Sequence, residues 1–403
     1  MLFSSVRFAG YRTFPDALAH PDRLSDLQLR PLTLVLGKNG SGKTQILRLV
    51  HHLLAVLAAR SEDVFPIVGR DGRRFAQDPL DVLHRRSAVA PLDLHLALSA
   101  QQRTAQVRVR LRGPAAGEQG LQPVQPPICA VDGHVLPSPA AGLLPADADI
   151  FRQTAERLMA ASEAIGPTRA RLSRSYPPPT PGDWSVPIAD DGRGAATRLL
   201  ADPALLESVR AWFGEHLPPV RLGTSTVFDH VALVDHNAGG MNLTEAAEGV
   251  HQVLPVVTLL RDRALHPSET IDTIEQPELH LHDAAHAALA DLLLEAAGIL
   301  RPAPGPTRPP GPCLVVETHS EGLLLRVRRR IAEGAVRPED VSVVFVELTP
   351  AGSALRSLVI DGGGAIAPWP AGVFTERFAE VQAIRRAVTA PVCCDAAFSA
   401  STT

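Results

Sequence analysis

A glycine-rich segment near the N-terminus limits the fold of this chain more than any other feature. An apolar run at residues 32–36, with the composition of a buried strand, precedes it, and residues 45–50 follow with apolar side chains at helical spacing. Strand, glycine loop and helix in this order are typical of a loop that binds phosphates. The alternative is a glycine-rich turn that matches the pattern by chance. The loop consists of Gly37, Lys38, Asn39, Gly40, Ser41, Gly42, Lys43 and Thr44.

Each residue type in this loop has a physical role in binding a nucleotide. The glycines let successive backbone N–H groups point at the phosphates without a Cβ in the way, and the start of the helix adds its dipole. We predict that Lys43 reaches the β- and γ-phosphates and that Thr44 offers its hydroxyl to Mg²⁺. The sequence therefore predicts a site for ATP and Mg²⁺.

Size and composition are those of a globular protein with a substantial core. The chain has 403 residues, of which 45% are apolar, and its formal net charge of −4 does not indicate a polyelectrolyte that binds nucleic acid as a whole. Aromatic residues make up 4%, which argues against single-strand binding by base stacking. No apolar stretch has the length of a membrane span or the form of a signal peptide. We expect a cytoplasmic protein without a membrane partner, whose cysteines lack the spacing of a metal site: Cys129, Cys313, Cys393 and Cys394.

Residue periodicity predicts a mixture of helices and strands. Alternation at period two predicts a strand at residues 2–8 and an antiparallel hairpin at residues 92–98 and 105–112. Apolar residues at helical spacing predict helices at residues 43–59, 149–165 and 203–216. Proline and glycine predict loops and short strands at residues 113–145 and a surface loop at residues 301–310.

Two groups of arginines are candidates for contact with duplex DNA. Arg108, Arg110 and Arg112 share one face of a predicted strand, and a second group lies on a helix predicted at residues 321–332. A solvated face is the alternative for both groups. The second group consists of Arg326, Arg328, Arg329 and Arg330.

An acidic segment in the second half of the chain completes the predicted site. A β-prone run at residues 270–274 leads into Glu275, and a phosphate-loop enzyme needs a carboxylate at the end of a strand beside the loop to hold Mg²⁺. Gln276 follows, whose amide can orient the attacking water but cannot take its proton. Glu278 is near enough to substitute as the base. Alternatively, Glu278 caps the helix predicted to begin near Asp283, or pairs locally.

Histidines follow both predicted strands of this half. A buried-type strand at residues 313–317 precedes His319, which we expect to hydrogen-bond the γ-phosphate. His280, His282 and His286 follow the acidic segment. We expect these three to line a subunit interface near the γ-phosphate, and a zinc site is the alternative.

The order of these motifs resembles that of the ABC-like ATPases of the SMC, RecF and OLD (overcoming lysogenization defect) group. More narrowly, the chain is similar to short bacterial AAA-family ATPases that end in a domain of unknown function and carry no Toprim nuclease module. The resemblance rests on the glycine loop, on Glu-Gln-Pro-Glu-Leu-His-Leu-His at residues 275–282 and on Glu-Thr-His-Ser-Glu at residues 317–321. Further matches at residues 165–169, 341–347 and 368–374 extend it over nearly the whole chain, with the tail from residue 388 outside it.

This resemblance implies an α/β fold, a P-loop NTPase of the ABC-ATPase-head type with a mixed central sheet, an antiparallel β subdomain and a helical insertion. Residues 1–150 would form an N-terminal ATPase lobe with the phosphate loop and the β subdomain. Residues 151–220 would be a helical insertion or lid, and residues 221–348 a C-terminal ATPase lobe. Residues 349–403 would be a tail region.

The resemblance also implies that ATP is sandwiched between two copies of the chain. One copy would supply the phosphate loop, and the other a signature-like segment at residues 242–255, with Gly249 at the nucleotide. Glu248 and His251 depart from the residues usual in this segment.

Three functions are compatible with these motifs. The first is an ATP-hydrolysing homodimer that regulates a separate effector or nuclease protein in defence against phage, with catalytic candidates Glu275, Gln276, Glu278 and His319. The second is a DNA repair or recombination ATPase that binds duplex DNA directly through the arginines. The third is a catalytically weak scaffold that holds ATP. A transporter ATPase is disfavoured, because no coupling subdomain or membrane segment is recognisable.

Overall fold

The computed structural model of this chain describes residues 2–16, 24–60, 63–69, 72–139, 141–180, 182–217, 220–300 and 311–367, together with residues 369, 374, 380 and 382–386. The chain divides into two units, Met1–Ala367 and Pro368–Thr403. The predicted surface loop at residues 301–310 and the tail from residue 388 lie outside the described residues, as does most of the matching segment at residues 368–374.

The strands of the described residues belong to three sheets and are numbered in chain order. They are β1 (Phe3–Ala9), β2 (Ser25–Leu27), β3 (Leu32–Gly37), β4 (Leu92–Ala100), β5 (Arg103–Arg112), β6 (Gln122–Pro123), β7 (Ile128–Val131), β8 (His134–Leu136), β9 (Ala164–Ile165), β10 (Leu222–Val227), β11 (His230–Asp235), β12 (Met241–Asn242), β13 (Ile271–Glu275), β14 (Cys313–Glu317), β15 (Val341–Thr349) and β16 (Gly352–Leu358).

The α-helices of the described residues vary from about two to five turns. They are α1 (Lys43–Ala58), α2 (Asp149–Ala161), α3 (Ala195–Ala201), α4 (Pro203–His216), α5 (Glu248–Leu265), α6 (Asp283–Ala296) and α7 (Glu321–Ala332). None of the described helices is long and apolar enough to cross a bilayer.

A six-stranded sheet carries the phosphate loop. Its order is β16-β15-β3-β14-β13-β9, in which β16 is antiparallel to β15 and every other pair is parallel. The loop follows β3, so it emerges at the carboxyl edge of the parallel strands, where ligands bind in open α/β sheets. A second sheet is antiparallel, in the order β2-β1-β4-β5-β7-β8 with β6 beside β5, and a third contains β10, β11 and β12.

Helix α1 lies in a core to which both large sheets contribute. Its side chains are buried on nearly every face, and it packs against α2 and beneath β3 and β14. The same apolar cluster contains Phe3 and Phe8 of β1 as well as Val35 of β3 and Val315 of β14. A helix with apolar side chains on most of its faces is typical of such an enclosed position.

Most elements predicted from periodicity are present. The hairpin of β4 and β5, the helices α1 and α4 and the strands β13 and β14 lie within a few residues of their predicted bounds. The helix predicted at residues 149–165 is wrong at its end, because α2 stops at Ala161 and residues 164–165 form β9. Residues 162 and 163 are instead hydrogen-bonded to β13. Asp272 Oδ1 accepts from the Glu163 N–H at 2.7 Å, and Ser162 Oγ accepts from the Ile271 N–H at 2.8 Å.

The architecture is a mixed α/β fold with a central sheet that is mainly parallel and a separate antiparallel sheet. The division at residues 150, 220 and 348 stays a prediction. Helix α2 of the predicted insertion packs on α1 of the preceding part, and β9 joins the central sheet.

Candidate functional site

The backbone of the phosphate loop requires glycine at two positions. Gly37 has φ 152° and Gly42 has φ 104°, in the region that side chains disfavour. A Cβ on Gly37 would lie 2.3 Å from the Val346 carbonyl oxygen of β15, and one on Gly42 would lie 2.6 Å from Ser353 Oγ of β16. The loop is thus fitted against the hairpin of β15 and β16. Lys38, Asn39 and Gly40 are exposed at the tip of the loop, and Ser41 is buried.

Lys43 extends back along the loop from the first position of α1. Its ammonium donates to the Lys38 carbonyl oxygen at 3.0 Å and lies 3.6 Å from Glu317 Oε1. Burial lowers the pKa of Lys43, and the charges of Glu317, Glu275 and Glu278 oppose that shift. An ammonium held inside the loop in this way is directed at the space that the loop surrounds.

Thr44 lies between two carboxylates. Its hydroxyl oxygen is 2.8 Å from Glu317 Oε2 and 3.2 Å from Glu275 Oε2. Burial raises the pKa of Glu275, and the negative charge of Glu317 raises it further. Because both carboxylates are hard oxygen donors, the set fits Mg²⁺, which binds through one or two carboxylates together with substrate phosphates and water.

The strand that ends in Glu275 is not an immediate neighbour of the loop strand β3 in the sheet. Strand β14 separates β13 from β3, because β3 pairs with β14 and β14 with β13. Glu317, the last residue of β14, therefore lies between Val35 of β3 and Glu275 of β13 in the sheet. Sequence reasoning missed Glu317 as a site residue. The signal in the sequence was a glutamate at the end of a buried strand, immediately before Thr-His. The pairing of that strand with β3 joins residues far apart in the chain, so the local sequence does not show it.

Gln276 directly follows β13 in a left-handed conformation, with φ 44°. Its N–H donates to the Glu317 carbonyl oxygen at 2.8 Å, so the turn after β13 is tied to the end of β14. Residues other than glycine adopt such a φ at a cost of about 1–2 kcal/mol, and they keep it only where their surroundings impose it.

Glu278 does not cap the following helix, so that alternative is wrong. His282 is the N-cap residue of α6, and its Nδ1 accepts from the Ala284 N–H at 3.3 Å. Glu278 is 8% exposed, and its Oε1 accepts from the His319 N–H at 2.7 Å. This bond brings the segment after β13 against the segment after β14. Burial raises the pKa of Glu278.

His319 lies beyond the end of β14 within the field of Lys43. Partial burial and then the Lys43 charge lower the pKa of His319, so its ring is neutral at pH 7. His286 is engaged elsewhere, because its Nδ1 lies 2.8 Å from Ser320 Oγ. The described parts of the chain contain no group of three or more His, Cys, Asp or Glu side chains arranged to hold a metal ion, and the zinc alternative has no support there.

The signature-like segment at residues 242–255 contains the start of helix α5. A Cβ on Gly249 would lie 2.7 Å from the His280 carbonyl oxygen, so glycine permits the close approach of these two segments. The Glu248 carboxylate accepts from Gln252 Nε2 at 2.8 Å and from Arg171 Nη2 at 3.3 Å. Its charge is therefore partly compensated within the chain.

Arg169 links the signature-like helix to the turn after β13, and it was not singled out as a site residue from the sequence. Its guanidinium is 3% exposed and donates to the Glu275 carbonyl oxygen at 2.6 Å and to the Gln252 carbonyl oxygen at 3.2 Å. A third bond, at 3.3 Å, reaches the Gln276 carbonyl oxygen. Gln252 Nε2 in return donates to the Arg169 carbonyl oxygen at 3.1 Å. Only the matching segment at residues 165–169 pointed to this region.

Comparison with known proteins finds likeness at the level of structure. No protein-family model matches the chain, and no curated protein matches it. An SMC head bound to the C-winged helix domain of ScpA is 13% identical, with 90% of this chain and 98% of that chain covered and a TM-score of 0.50.

Two further SMC head domains match over similar lengths. The head domain from Thermotoga maritima is 12% identical, covers 89% of this chain and 99% of its own, and has a TM-score of 0.46. A head domain with an extended coiled coil, bound to the C-terminal domain of ScpA and derived from Pyrococcus furiosus, is 12% identical, covers 96% and 100%, and has a TM-score of 0.48. The SMC head bound to the C-winged helix domain of ScpA is 13% identical to this chain, and at that identity the likeness concerns the fold alone. The fold of this chain is that of an SMC head domain.

Proposed function

We propose that this chain is an ABC-type ATPase head that binds ATP with Mg²⁺ at the phosphate loop and hydrolyses it. One observation carries the proposal: Lys43, Thr44, Glu317 and Glu275 meet at the carboxyl ends of three adjacent parallel strands, directly after a glycine loop. An ammonium and a helix start bind phosphate, and carboxylates beside a hydroxyl bind Mg²⁺. The fold shared with SMC heads supports the same reaction.

In this reaction water attacks the γ-phosphorus, the bond to the β–γ bridging oxygen breaks, and ADP and orthophosphate leave. Lys43 binds the phosphate oxygens, and Thr44 with Glu275 holds the position of Mg²⁺, which supplies charge neutralisation when bound. Gln276 orients the water with its amide. Glu278, whose buried carboxyl has a raised pKa, accepts the proton, and the neutral His319 ring donates to the γ-phosphate.

Steady-state phosphate release by the purified protein tests this function. We expect turnover with Mg²⁺ and ATP, and none above background in Lys43→Ala. Arg103→Ala, on β5 of the antiparallel sheet, where the exposed side chain pairs with Asp132, is the matched control and should retain the turnover. Equal phosphate release by the wild type and by Lys43→Ala, with equal ATP binding, would refute the function.

We further propose that two copies dimerise around ATP and regulate a separate effector protein. Gly249, the second residue of α5, lies beside His280, and we propose that it meets the loop of a second copy. An SMC head of the same fold is bound to another protein, a domain of ScpA. Light scattering should find a dimer with ATP in Glu278→Gln, which blocks proton transfer but keeps the metal carboxylates, and a monomer in Lys43→Ala. A monomer in every case would contradict the dimer. The role in defence against phage rests on the sequence resemblance alone.

Direct binding of duplex DNA is the weaker candidate, because most of the arginines that suggested it have acidic partners. Arg110 Nε lies 2.6 Å from Asp93 Oδ1, and Arg112 lies 2.7 Å from Glu118. Asp291 similarly pairs with Arg326 and Arg330 of α7 at 2.7 Å. Paired arginines release few counterions, so binding to duplex should be weak and only slightly dependent on salt.

A further inference from the structure

The two glutamates at the loop are direct neighbours in the sheet. Glu275 and Glu317 are paired in register where β13 and β14 end, and Glu317 is paired with Val35 of β3. Paired residues in adjacent strands point to the same face. The sheet therefore holds two carboxylates side by side, with Thr44 Oγ1 within 3.2 Å of an oxygen of each.

Such a pair is unfavourable without a cation. Like charges at adjacent positions of a sheet repel, and burial increases the cost. The raised pKa of Glu275 reflects both causes. Lys43 lies 3.6 Å from Glu317 Oε1, and the charges of Arg48 and Arg169 act on Glu275, but the Lys43 ammonium is the group expected to bind phosphate. Glu278 adds a further buried oxygen, Oε2, without a hydrogen-bond partner in the described part of the chain.

Glu317 has the closer contact with Thr44. The hydroxyl can donate its one proton to a single carboxylate at a time, and the distance favours Glu317, at 2.8 Å against 3.2 Å for Glu275. When the hydroxyl oxygen faces a cation, its proton must point away from that cation. Glu317 accepts it in that arrangement.

We propose that Glu317 is a second metal-facing carboxylate, which together with Glu275 makes nucleotide binding at this loop depend on a divalent cation. This inference rests on the proposed nucleotide site. A triphosphate without a metal brings several negative charges to a loop that lies beside two carboxylates, and these repel it. A divalent cation between the carboxylates and the phosphates converts that repulsion into attraction.

Binding of ATP, measured by calorimetry with excess Mg²⁺ and again with EDTA, tests the proposal without reference to turnover. The quantity of interest is the ratio of the two dissociation constants. We expect this ratio to fall by about tenfold or more in Glu317→Gln, equivalent to about 1.4 kcal/mol, because metal-free ATP binds better once the charge is removed. Glu317→Asp keeps the charge and should keep most of the ratio. Glu347→Gln, on β15 at the other side of β3, is the matched control and should leave it unchanged.

The outcomes separate this inference from the proposed function. If Glu317→Gln binds ATP with the metal dependence of the wild type, the inference is overturned, and a loss of turnover in that variant would then assign Glu317 to the water. If the wild type binds no ATP, or Lys43→Ala binds it equally well, the nucleotide site itself is wrong. Urea denaturation of each variant identifies a loss of folding, and Glu317→Asp keeps the proposal testable should Glu317→Gln fail to fold.

Discussion

Replacement of Arg169 by alanine should weaken both the fold and the site. Its guanidinium donates to three backbone carbonyl oxygens, those of Gln252 in α5 and of Glu275 and Gln276 after β13. At 2.6 Å and 3.2 Å, the bonds to Glu275 and Gln252 are well formed. A hydrogen bond from a charged donor is worth about 1.5–3 kcal/mol, and each buried acceptor left unpaired carries its own desolvation cost. We expect Arg169→Ala to lower the free energy of unfolding by about 3–5 kcal/mol.

Arg171 provides the matched control for this experiment. It lies two residues further along, and its guanidinium is 74% exposed and bonded to Glu248 on the same helix α5. An exposed ion pair contributes about 0–1 kcal/mol, so Arg171→Ala should lower the unfolding free energy by less than 1 kcal/mol. Urea denaturation followed by circular dichroism measures both variants. Equal urea midpoints for the two would refute the assignment of Arg169 as the link between α5 and the turn.

The same variant should slow catalysis even where the protein is fully folded. Gln276 holds a φ of 44°, and Arg169 and the Glu317 carbonyl oxygen both restrain its backbone. Without Arg169 the turn can relax, and the amide of Gln276 no longer meets the water at a fixed position. Phosphate release by Arg169→Ala in the absence of urea should fall at least tenfold, while Arg171→Ala keeps the wild-type rate. A wild-type rate in Arg169→Ala would show that the conformation of the turn after β13 does not affect hydrolysis.

Three further predictions concern stability and the loop. Burial lowers the pKa of His52 to about 3 in the folded protein, whereas the same side chain in the unfolded chain takes up its proton near pH 6.5. The free energy of unfolding should therefore fall by about 1.4 kcal/mol per pH unit as the pH drops from 6.5 towards 3. The difference between the urea midpoints at pH 7 and pH 5 should be smaller in His52→Gln than in the wild type. Gly37→Ala should abolish ATP binding in calorimetry, because its Cβ meets a backbone carbonyl, and a variant that binds normally would contradict this steric argument. Arg263→Ala should lower the free energy of unfolding, measured by urea denaturation, by about 3–5 kcal/mol, because it leaves the fully buried Asp272 carboxylate without its cation. A loss below about 1 kcal/mol would show that this ion pair is not stabilising.

The local elements of the fold could be predicted from the sequence because their signals are local. Helix α1 follows directly from its glycine loop and its apolar spacing, and the strands β4 and β5 follow from clean alternation. The end of α2 could not be predicted in this way. Its residues continue a helical pattern, and the bond from the Glu163 N–H to Asp272 depends on a partner far along the chain.

The site was predictable only in its parts. Lys43, Thr44 and Glu275 each occur in a sequence motif whose residue types indicate phosphate or Mg²⁺ binding. The structure brings these residues together. Glu317 and Arg169 were not identified, since each acts through a neighbour that only the tertiary fold supplies. The order of β3, β14 and β13 decides which carboxylate meets Thr44, and parallel strands joined by long connections leave no local trace of their order.

The position of β3 in its sheet has a consequence for how the protein is made. This strand pairs on one side with β14 and on the other with β15, and both are synthesised after most of the chain has left the ribosome. At a translation rate of about 5–20 residues per second, the apolar strand before the phosphate loop remains unpaired for tens of seconds. During that interval the nascent chain offers an open strand edge to its neighbours, and chaperones that shield such edges should decide how much of the protein reaches the folded state.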